Sequence, residues 1–139
     1  MTRNYSGIVT GLVLSEVVAG TVFAEGSWTS SMSNVKVGFD SRTWTDRNSD
    51  SASTAIRFEG CRDENYSNGS NDWTTVSVQR HNGILPAGDF GRETLYCHVA
   101  DTGYWGDQPA QDYHFQIEAF SGGTFSTNAL DVPYLKASY

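Results

Sequence analysis

The chain has 139 residues, with 16 acidic and 9 basic side chains and a formal net charge of −7. This length fits one domain, and the acidic balance without any Lys/Arg run argues against nucleic acid as a partner. Aromatic residues make up 13% of the chain, and Ser, Thr, Gly and Asn are abundant, which is typical of a β protein with many turns.

Residues 1–24 have the pattern of an export signal: a positive start, the mostly apolar run Ile8–Ala24, and Val22-Phe23-Ala24 as a cleavage site. A retained membrane anchor is the alternative, but the apolar run has only about seventeen residues and contains Glu16, whose carboxylate is costly inside a bilayer. The sequence therefore predicts a cleaved signal peptide and a mature chain that begins at Glu25. It predicts a secreted, extracellular protein without a membrane segment after cleavage.

The next segment, Glu25–Ser33, is small and polar except for Trp28 and Met32. Two interpretations stay open for it. It is either an arm that precedes a sandwich domain of residues 34–139, or an extra strand of that domain.

From residue 34 onward, short alternating segments are separated by polar, Gly-rich breaks, which is the spacing of an all-β sandwich. Asp112–Phe120 is the clearest strand, because its apolar residues alternate with polar ones in a way that a helix cannot use. Pro133 indicates an edge position for the last strand, because a missing amide donor is harmless there. The predicted strands are Asn34–Phe39, Ser53–Cys61, Trp73–His81, Glu93–Ala100, Asp112–Phe120 and Ala129–Leu135. The predicted fold is an antiparallel β-sandwich of immunoglobulin-like size with about seven strands.

Cys61 and Cys97 are the two cysteines of the chain, and in an oxidising exterior they have a single pairing. We expect a disulfide that closes a loop of about 37 residues, for which chain entropy gives about 3 to 4 kcal/mol. Cys97 shares its parity with Leu95 and Val99, so the bridge is expected at or near the core. Two free buried thiols are the alternative.

Oxygen side chains at alternate positions, Asp46, Asn48 and Asp50, match the start of a calcium loop. The match fails further on, because the sixth position is Ser51 rather than Gly and the twelfth is Arg57 rather than an acid. Asx turns between two strands explain the run without a metal.

Catalysis has no positive signal in the sequence. His81, His98 and His114 lack a nucleophile elbow, and His98 and His114 lie on the polar parity of their strands, which predicts solvated histidines. Carboxylate pairs for glycoside cleavage arise freely in so acidic a chain, and nothing selects one. The prediction is a protein that is not an enzyme and has no cofactor.

Tyr104 and Trp105 lie between two glycines in a predicted loop. Exposed rings beside Asp and Asn suit sugar stacking or protein hot spots, although a small core also uses several aromatic rings. An exposed edge strand is another route to a partner, because it can pair with the partner's main chain. Tyr104 and Trp105 are therefore the candidate aromatic binding loop.

Nearly the whole mature chain follows one pattern of scattered residues: Trp28, Val35-x-Val37-Gly38-Phe39, Ser41-Arg42-x-Trp44-x-Asp46-x-Asn48-x-Asp50, Thr54-x-Ile56, Cys61, Cys97, and Trp105 ahead of Tyr113-x-Phe115. In this pattern the chain resembles small secreted streptomycete-type β-sandwich proteins, and among them the adaptor subunit of umbrella toxin particles.

The resemblance implies a non-catalytic bridge in an exported antibacterial complex. It would join a lectin-bearing subunit of trypsin-like fold to a large repeat-containing polymorphic toxin. In that family the amino-terminal extension of the adaptor enters a cleft on the lectin subunit. By resemblance, partner binding is then expected at Glu25, Gly26, Ser27, Trp28, Thr29, Ser30, Ser31, Met32 and Ser33, with Trp28 as the anchor.

Three alternatives stay open. The first is an independent secreted carbohydrate-binding, lectin-like module that binds glycans through Tyr104 and Trp105. The second is a small secreted inhibitor or enzyme, which would need a reactive loop or a catalytic cluster. The third is a βγ-crystallin-like module, because Asn71-Asp72-Trp73-Thr74-Thr75 is similar to part of the calcium motif of that family. The rest of that motif is not evident in the sequence.

Overall fold

A computed structural model describes residues 24–64, 72–81, 89–121 and 128–139. The predicted signal peptide, except for Ala24, lies outside these ranges. The described residues form nine strands: β1 (Ser27–Val35), β2 (Trp44–Asp46), β3 (Ala55–Glu59), β4 (Arg62–Asp63), β5 (Trp73–Arg80), β6 (Asp89–Tyr96), β7 (Asp101–Tyr104), β8 (Gln111–Phe120) and β9 (Leu130–Ser138). No helix long and apolar enough to span a membrane occurs among them.

The strands form two antiparallel sheets that pack face to face. Sheet A has the order β1-β9-β3-β7, with β4 also paired to β9, and sheet B has the order β2-β8-β5-β6. The inward residues of both sheets share one core, whose largest fully buried side chains include Tyr113, Phe58, Phe115 and Phe120. The predicted all-β sandwich is confirmed, with short strands β2, β4 and β7 that the sequence pattern did not indicate.

The predicted disulfide between Cys61 and Cys97 is present, with the two Cα atoms 4.7 Å apart. Cys61 lies between β3 and β4 of sheet A, and Cys97 directly follows β6 of sheet B. The bridge therefore ties the two sheets together beside the core, where both cysteines are buried.

The predicted strand Asn34–Phe39 is wrong over most of its length. β1 ends at Val35, Asn34 and Gly38 have φ of 54° and 89°, and residues 37–38 form a turn. Positive φ interrupts the extended backbone, and Asn and Gly tolerate it best. The chain therefore turns here from sheet A to sheet B, where Gly38 N donates to Ile117 O over 2.7 Å.

The edge position predicted from Pro133 is also wrong, because β9 lies between β1 and β3. The pairing of β9 with β1 shifts register between Ser30 and Met32, next to Pro133. On the other side, β3 pairs with β9 up to Tyr134 and β4 pairs from Asp131. A proline is tolerated at such a bulge, where the ladder is already interrupted.

Candidate binding surfaces

The predicted partner-binding segment Glu25–Ser33 is largely part of β1, so the strand interpretation describes it. Among the described residues β1 pairs with one strand, β9, and thus forms an edge of sheet A. Ser27, Thr29, Ser30, Ser31 and Ser33 are exposed along it. The domain boundary predicted at residue 34 falls inside this strand.

The direction of the β1 main-chain groups follows from its first pair. Gly26 and Tyr139 exchange two backbone hydrogen bonds of 2.8 and 3.0 Å, and in antiparallel pairing bonded and non-bonded pairs alternate. Trp28 therefore bonds inward to Ala137, its register partner. Ser27 and Thr29 direct their N–H and C=O groups away from β9, toward solvent.

A small apolar groove runs beside β1, where the two sheets part. Its volume is about 120 Å³, and it is lined by Trp28, Ser30, Ser31, Met32, Phe39, Ser41, Arg42, Phe115 and Leu135. One wall belongs to β1 and the other to the segment that pairs with β8 through Ser41 N and Phe115 O, 2.8 Å apart. An extended chain added to β1 would pass along this groove.

Trp28, predicted as the partner anchor, packs within the protein. Its ring is half-buried and lies parallel to that of Phe115, with centroids 6.2 Å apart and an interplanar angle of 8°. The Arg42 guanidinium carbon lies 5.2 Å from the centroid of the Trp28 ring. Trp28 thus forms the floor of the groove and is not a free anchor.

The candidate aromatic loop does not present two rings together. Tyr104 is 64% exposed, whereas Trp105 is 8% exposed and belongs to the core. The Trp105 indole Nε1 donates to Gly91 O over 3.0 Å, so its polar atom is satisfied inside the protein. Only Tyr104 of the predicted pair is available to a ligand.

The Asp-rich loop holds its own backbone. Asp46 Oδ1 accepts from Asn48 N, and Asp50 Oδ1 accepts from Ala52 N, each over 2.7 Å, so the predicted Asx turns are present. The carboxylate of Glu25 also accepts hydrogen bonds from Arg47 N and from Ser49, and these bonds lower its pKa. Among the described residues no three His, Cys, Asp or Glu side chains are grouped to hold a metal ion.

Of the three histidines, His114 departs from the prediction. His81 and His98 are exposed as expected, but His114 is 7% exposed. Its Nε2 lies 3.5 Å from Asp40 Oδ1, and the His81 ring packs edge-on at 5.7 Å. By its position in the strand, the His114 side chain lies on the outer face of sheet B. Asp40 and His81 pack over it and bury it.

Sequence reasoning missed an aromatic pair on the outer face of sheet B. Trp73 and Tyr96 are register partners on β5 and β6, next to the register pair Thr75 and Thr94. The four side chains line a shallow depression of about 420 Å³, and Tyr96 also packs against His98. The sequence alone could not show that Trp73 and Tyr96 lie side by side, because this depends on the register of β5 with β6.

A polar strip continues from this depression across the same face. Ser77 Oγ donates to Glu118 Oε1 over 2.6 Å, and Gln79 Nε2 donates to Gln116 Oε1 over 3.1 Å. The Arg92 guanidinium lies 3.7 Å from the Glu118 carboxylate. The strip therefore presents donors and acceptors side by side, in positions fixed by their mutual hydrogen bonds.

Comparison with known proteins adds no relative. No protein-family model, no curated protein and no solved structure matches the chain. The geometry of the β1 edge and of the Trp73–Tyr96 depression is therefore the basis for assigning a function.

Proposed function

We propose that this chain is a secreted, non-catalytic binding protein that receives an extended segment of a partner protein along β1. The observation that supports this most directly is the outward direction of the Ser27 and Thr29 main-chain groups on an edge strand of nine residues. An exposed edge of this kind adds a partner strand by main-chain hydrogen bonds, and neighbouring pockets select its side chains. The groove beside Trp28 is such a pocket.

The other edges of the two sheets are less suited to strand addition. β2 and β7 are short, with three and four residues, and β6 carries the charged residues Arg92 and Glu93. Charged side chains protect an edge from pairing, whereas Ser27–Val35 contains none. These differences favour β1 as the docking edge.

In its most specific form, the proposal is the adaptor of an exported antibacterial toxin complex. The resemblance stated from the sequence supports it and expects a lectin-bearing subunit at residues 25–33, with a large repeat-containing toxin as the second partner. The Cys61–Cys97 bridge is consistent with an oxidising compartment. In this proposal the partner still binds at residues 25–33, as the resemblance implies. These residues bind it as the edge strand β1 rather than as a free arm.

The proposal is tested by capture from the native culture supernatant with three tagged proteins: wild type, Thr29→Pro and Thr29→Ala. Proline removes the outward amide of Thr29 and leaves the inward bonds to β9 in place, while alanine removes only the hydroxyl side chain. We expect wild type and Thr29→Ala to capture the partner and Thr29→Pro to lose it. Thermal unfolding of each variant verifies that all three are folded.

Amide hydrogen exchange identifies the mode of binding. In the complex, the amides of Ser27 and Thr29 should become protected because they enter a new ladder. Full capture by folded Thr29→Pro, or unchanged exchange at both amides, would contradict strand addition. Capture of both the lectin-bearing subunit and the toxin would support the adaptor, and capture of neither would leave only the general binding proposal.

A second candidate function is carbohydrate binding, which the Trp73–Tyr96 depression favours. Aromatic rings offer an apolar face for a sugar ring, and Thr75, Thr94 and the adjoining Arg92–Glu118 pair offer the mixed donors and acceptors that hydroxyl groups require. Charged residues are depleted at the core of protein interfaces, so this open, polar-edged face suits a glycan better than a protein.

An array of bacterial, plant and animal oligosaccharides tests this candidate with Tyr96→Ala and, as a matched control, Tyr104→Ala. Both variants remove an exposed tyrosine, but only Tyr96 lines the depression. Binding that Tyr96→Ala weakens about tenfold or more, equal to about 1.4 kcal/mol, while Tyr104→Ala retains it, would support the site. If only Tyr104→Ala lost oligosaccharide binding, the sugar site would lie at Tyr104, as predicted from the sequence. If the wild-type protein bound no oligosaccharide, carbohydrate binding would be excluded as its function.

A further inference from the structure

A polar pocket adjoins the apolar groove beside β1. Its volume is about 520 Å³, and its lining includes Glu25 and Gly26, just before β1, together with Arg42 and Arg47. Arg42 also lines the groove, so the two cavities meet at its side chain. A strand added along β1 would pass both of them.

Arg42 is held over the Trp28 ring and has no acidic partner. Its segment is fixed on β8, because Ser41 N donates to Phe115 O over 2.8 Å and Phe115 N donates to Ser41 Oγ over 2.9 Å. The guanidinium carbon of Arg42 lies 5.2 Å from the centroid of the Trp28 ring. In the described part of the chain no ion pair includes Arg42. Its guanidinium is therefore available to a carboxylate from another molecule.

The lining of the polar pocket is positive although the protein is acidic. The net charge of the chain is −7, but the described lining of the pocket contains two arginines and one carboxylate, that of Glu25. Both oxygens of this carboxylate accept hydrogen bonds, from the Arg47 amide and from Ser49. Asp46 and Asp50 of the adjoining loop are not part of the lining. The pocket therefore complements a negative group rather than a positive one.

The direction of the β1 main chain determines which partner side chain meets Arg42. Ser27 and Thr29 direct their N–H and C=O groups outward. An added antiparallel strand would bond to these two residues and place one of its own residues opposite Trp28, in a non-bonded pair. Residues directly opposite each other share a face of the sheet. The partner residue opposite Trp28 therefore points inward, beside the Trp28 ring and toward the Arg42 guanidinium.

We propose that the partner strand carries a glutamate or aspartate opposite Trp28, which pairs with Arg42, and an apolar residue opposite Ser30. Ser30 lines the apolar groove and lies two residues after Trp28, so the two partner side chains enter the same face. In an antiparallel partner strand the apolar residue precedes the acid by two positions. Arg42 then selects the strand, because a guanidinium binds a carboxylate through two parallel hydrogen bonds. This inference rests on the proposed strand addition to β1 and names the chemistry of the partner segment.

Synthetic peptides with blocked ends test the preference for an acid. The peptide Ser-Thr-Val-Thr-Glu-Thr-Ser is compared with two others that carry Gln or Lys in place of Glu. Each is titrated into the isotopically labelled, oxidised protein, and the chemical shifts of the Ser27 and Thr29 amides give the Kd. We expect wild type to bind the Glu peptide about tenfold more tightly than the Gln peptide, the effect of one charge-assisted hydrogen-bonded pair. The Lys peptide should bind more weakly than both.

Variants of two arginines assign the preference to a position. Arg42→Gln should lose the preference for Glu, and Arg42→Lys should keep only part of it, because lysine retains the charge without the planar fork. Arg62→Gln is the matched control and should keep it fully. Arg62 is exposed and pairs with Asp131, and it lines neither cavity. Thermal unfolding verifies that each variant is folded.

The outcomes separate this inference from strand addition itself. If wild type bound the Glu and Gln peptides equally and Thr29→Pro abolished both, strand addition would stand and the acidic preference would be overturned. If none of the three peptides bound, both would be overturned. A preference for Glu that Arg42→Gln retains, or that Arg62→Gln loses equally, would overturn the role of Arg42.

Discussion

The rings of Trp28 and Phe115 lie parallel, with an interplanar angle of 8° and centroids 6.2 Å apart. Trp28 belongs to the edge strand of sheet A and Phe115 to β8 in sheet B. The contact therefore fastens the first strand of the domain to the opposite sheet. Deletion of residues 25–33 would therefore remove core contacts together with the edge strand.

Trp28→Ala should lower the free energy of unfolding by about 3 kcal/mol, the lower end of the cost of truncating a packed tryptophan. Urea denaturation followed by circular dichroism measures the change. Thr29→Ala, exposed on the same strand, is the control and should stay within about 0.5 kcal/mol of wild type. If Trp28→Ala were as stable as wild type, the ring would be free to serve as the partner anchor.

Removal of the disulfide should destabilise the fold strongly. Cys61→Ala combined with Cys97→Ala opens a loop with a sequence separation of 36 residues, for which the entropic estimate is about 3 to 4 kcal/mol. Thermal unfolding of the double variant should show a much lower melting temperature. Equal melting temperatures of oxidised and reduced wild type would contradict a structural role for the bridge.

Trp105 and Tyr104 should respond in opposite ways to truncation. Trp105→Ala empties a core position and loses the hydrogen bond to Gly91, so we expect about 3 to 5 kcal/mol of destabilisation. Tyr104→Ala should change stability by about 0.5 kcal/mol or less, since exposed substitutions rarely do more. Denaturant unfolding of both variants measures the contrast, and a severe effect of Tyr104→Ala would contradict its exposed placement.

Local alternation predicted the strands whose two faces differ clearly. Asp112–Phe120 is the best case, because its predicted inward residues Tyr113, Phe115, Ile117 and Ala119 are all buried. The pattern failed at Asn34–Phe39, where residues of suitable type alternate but positive φ at Asn34 and Gly38 turns the chain. Backbone conformation of this kind leaves no trace in hydrophobic periodicity.

Long-range pairing was the other part that local pattern could not supply. β1 is polar and weakly patterned, and its place in the sheet comes from pairing with β9, about a hundred residues later in the chain. The same limit applies to His114, whose outward parity was inferred correctly, while its cover by Asp40 and His81 comes from distant segments. The Trp73–Tyr96 pair likewise exists only in the register of β5 with β6.

His114 should contribute to loss of stability in mild acid. Burial lowers its pKa below the ordinary 6.5, with His81 acting in the same direction and Asp40 opposing. The contribution of neutral His114 to the free energy of unfolding is therefore fully present above pH 6.5. It is lost as pH falls through the lower pKa of the folded state. Urea unfolding at several pH values between about 7 and 5 should show a shallower decline for His114→Gln than for wild type. An identical slope would mean that His114 does not charge differently in the two states.

Asp46→Asn should stabilise the protein at neutral pH. Burial raises the pKa of Asp46 above the ordinary 3.8, and the charges of Glu25, Asp107 and Asp50 raise it further. A raised pKa means that the contribution of this group is fully present below pH 3.8 and is lost as pH rises through the folded-state pKa. Asparagine keeps the oxygen that accepts from Asn48 and removes the charge, so we expect a gain of about 0.5 kcal/mol or more at pH 7.

The gain from Asp46→Asn should shrink as pH falls and vanish below the ordinary pKa, where wild type is also neutral. Thermal unfolding of both proteins from neutral pH down to about pH 3 measures this dependence. Asp50→Asn is the nearby control, because Asp50 lies in the same loop but is less buried. A gain that persists unchanged at low pH would assign the effect to hydrogen bonding by the new amide rather than to relief of charge repulsion.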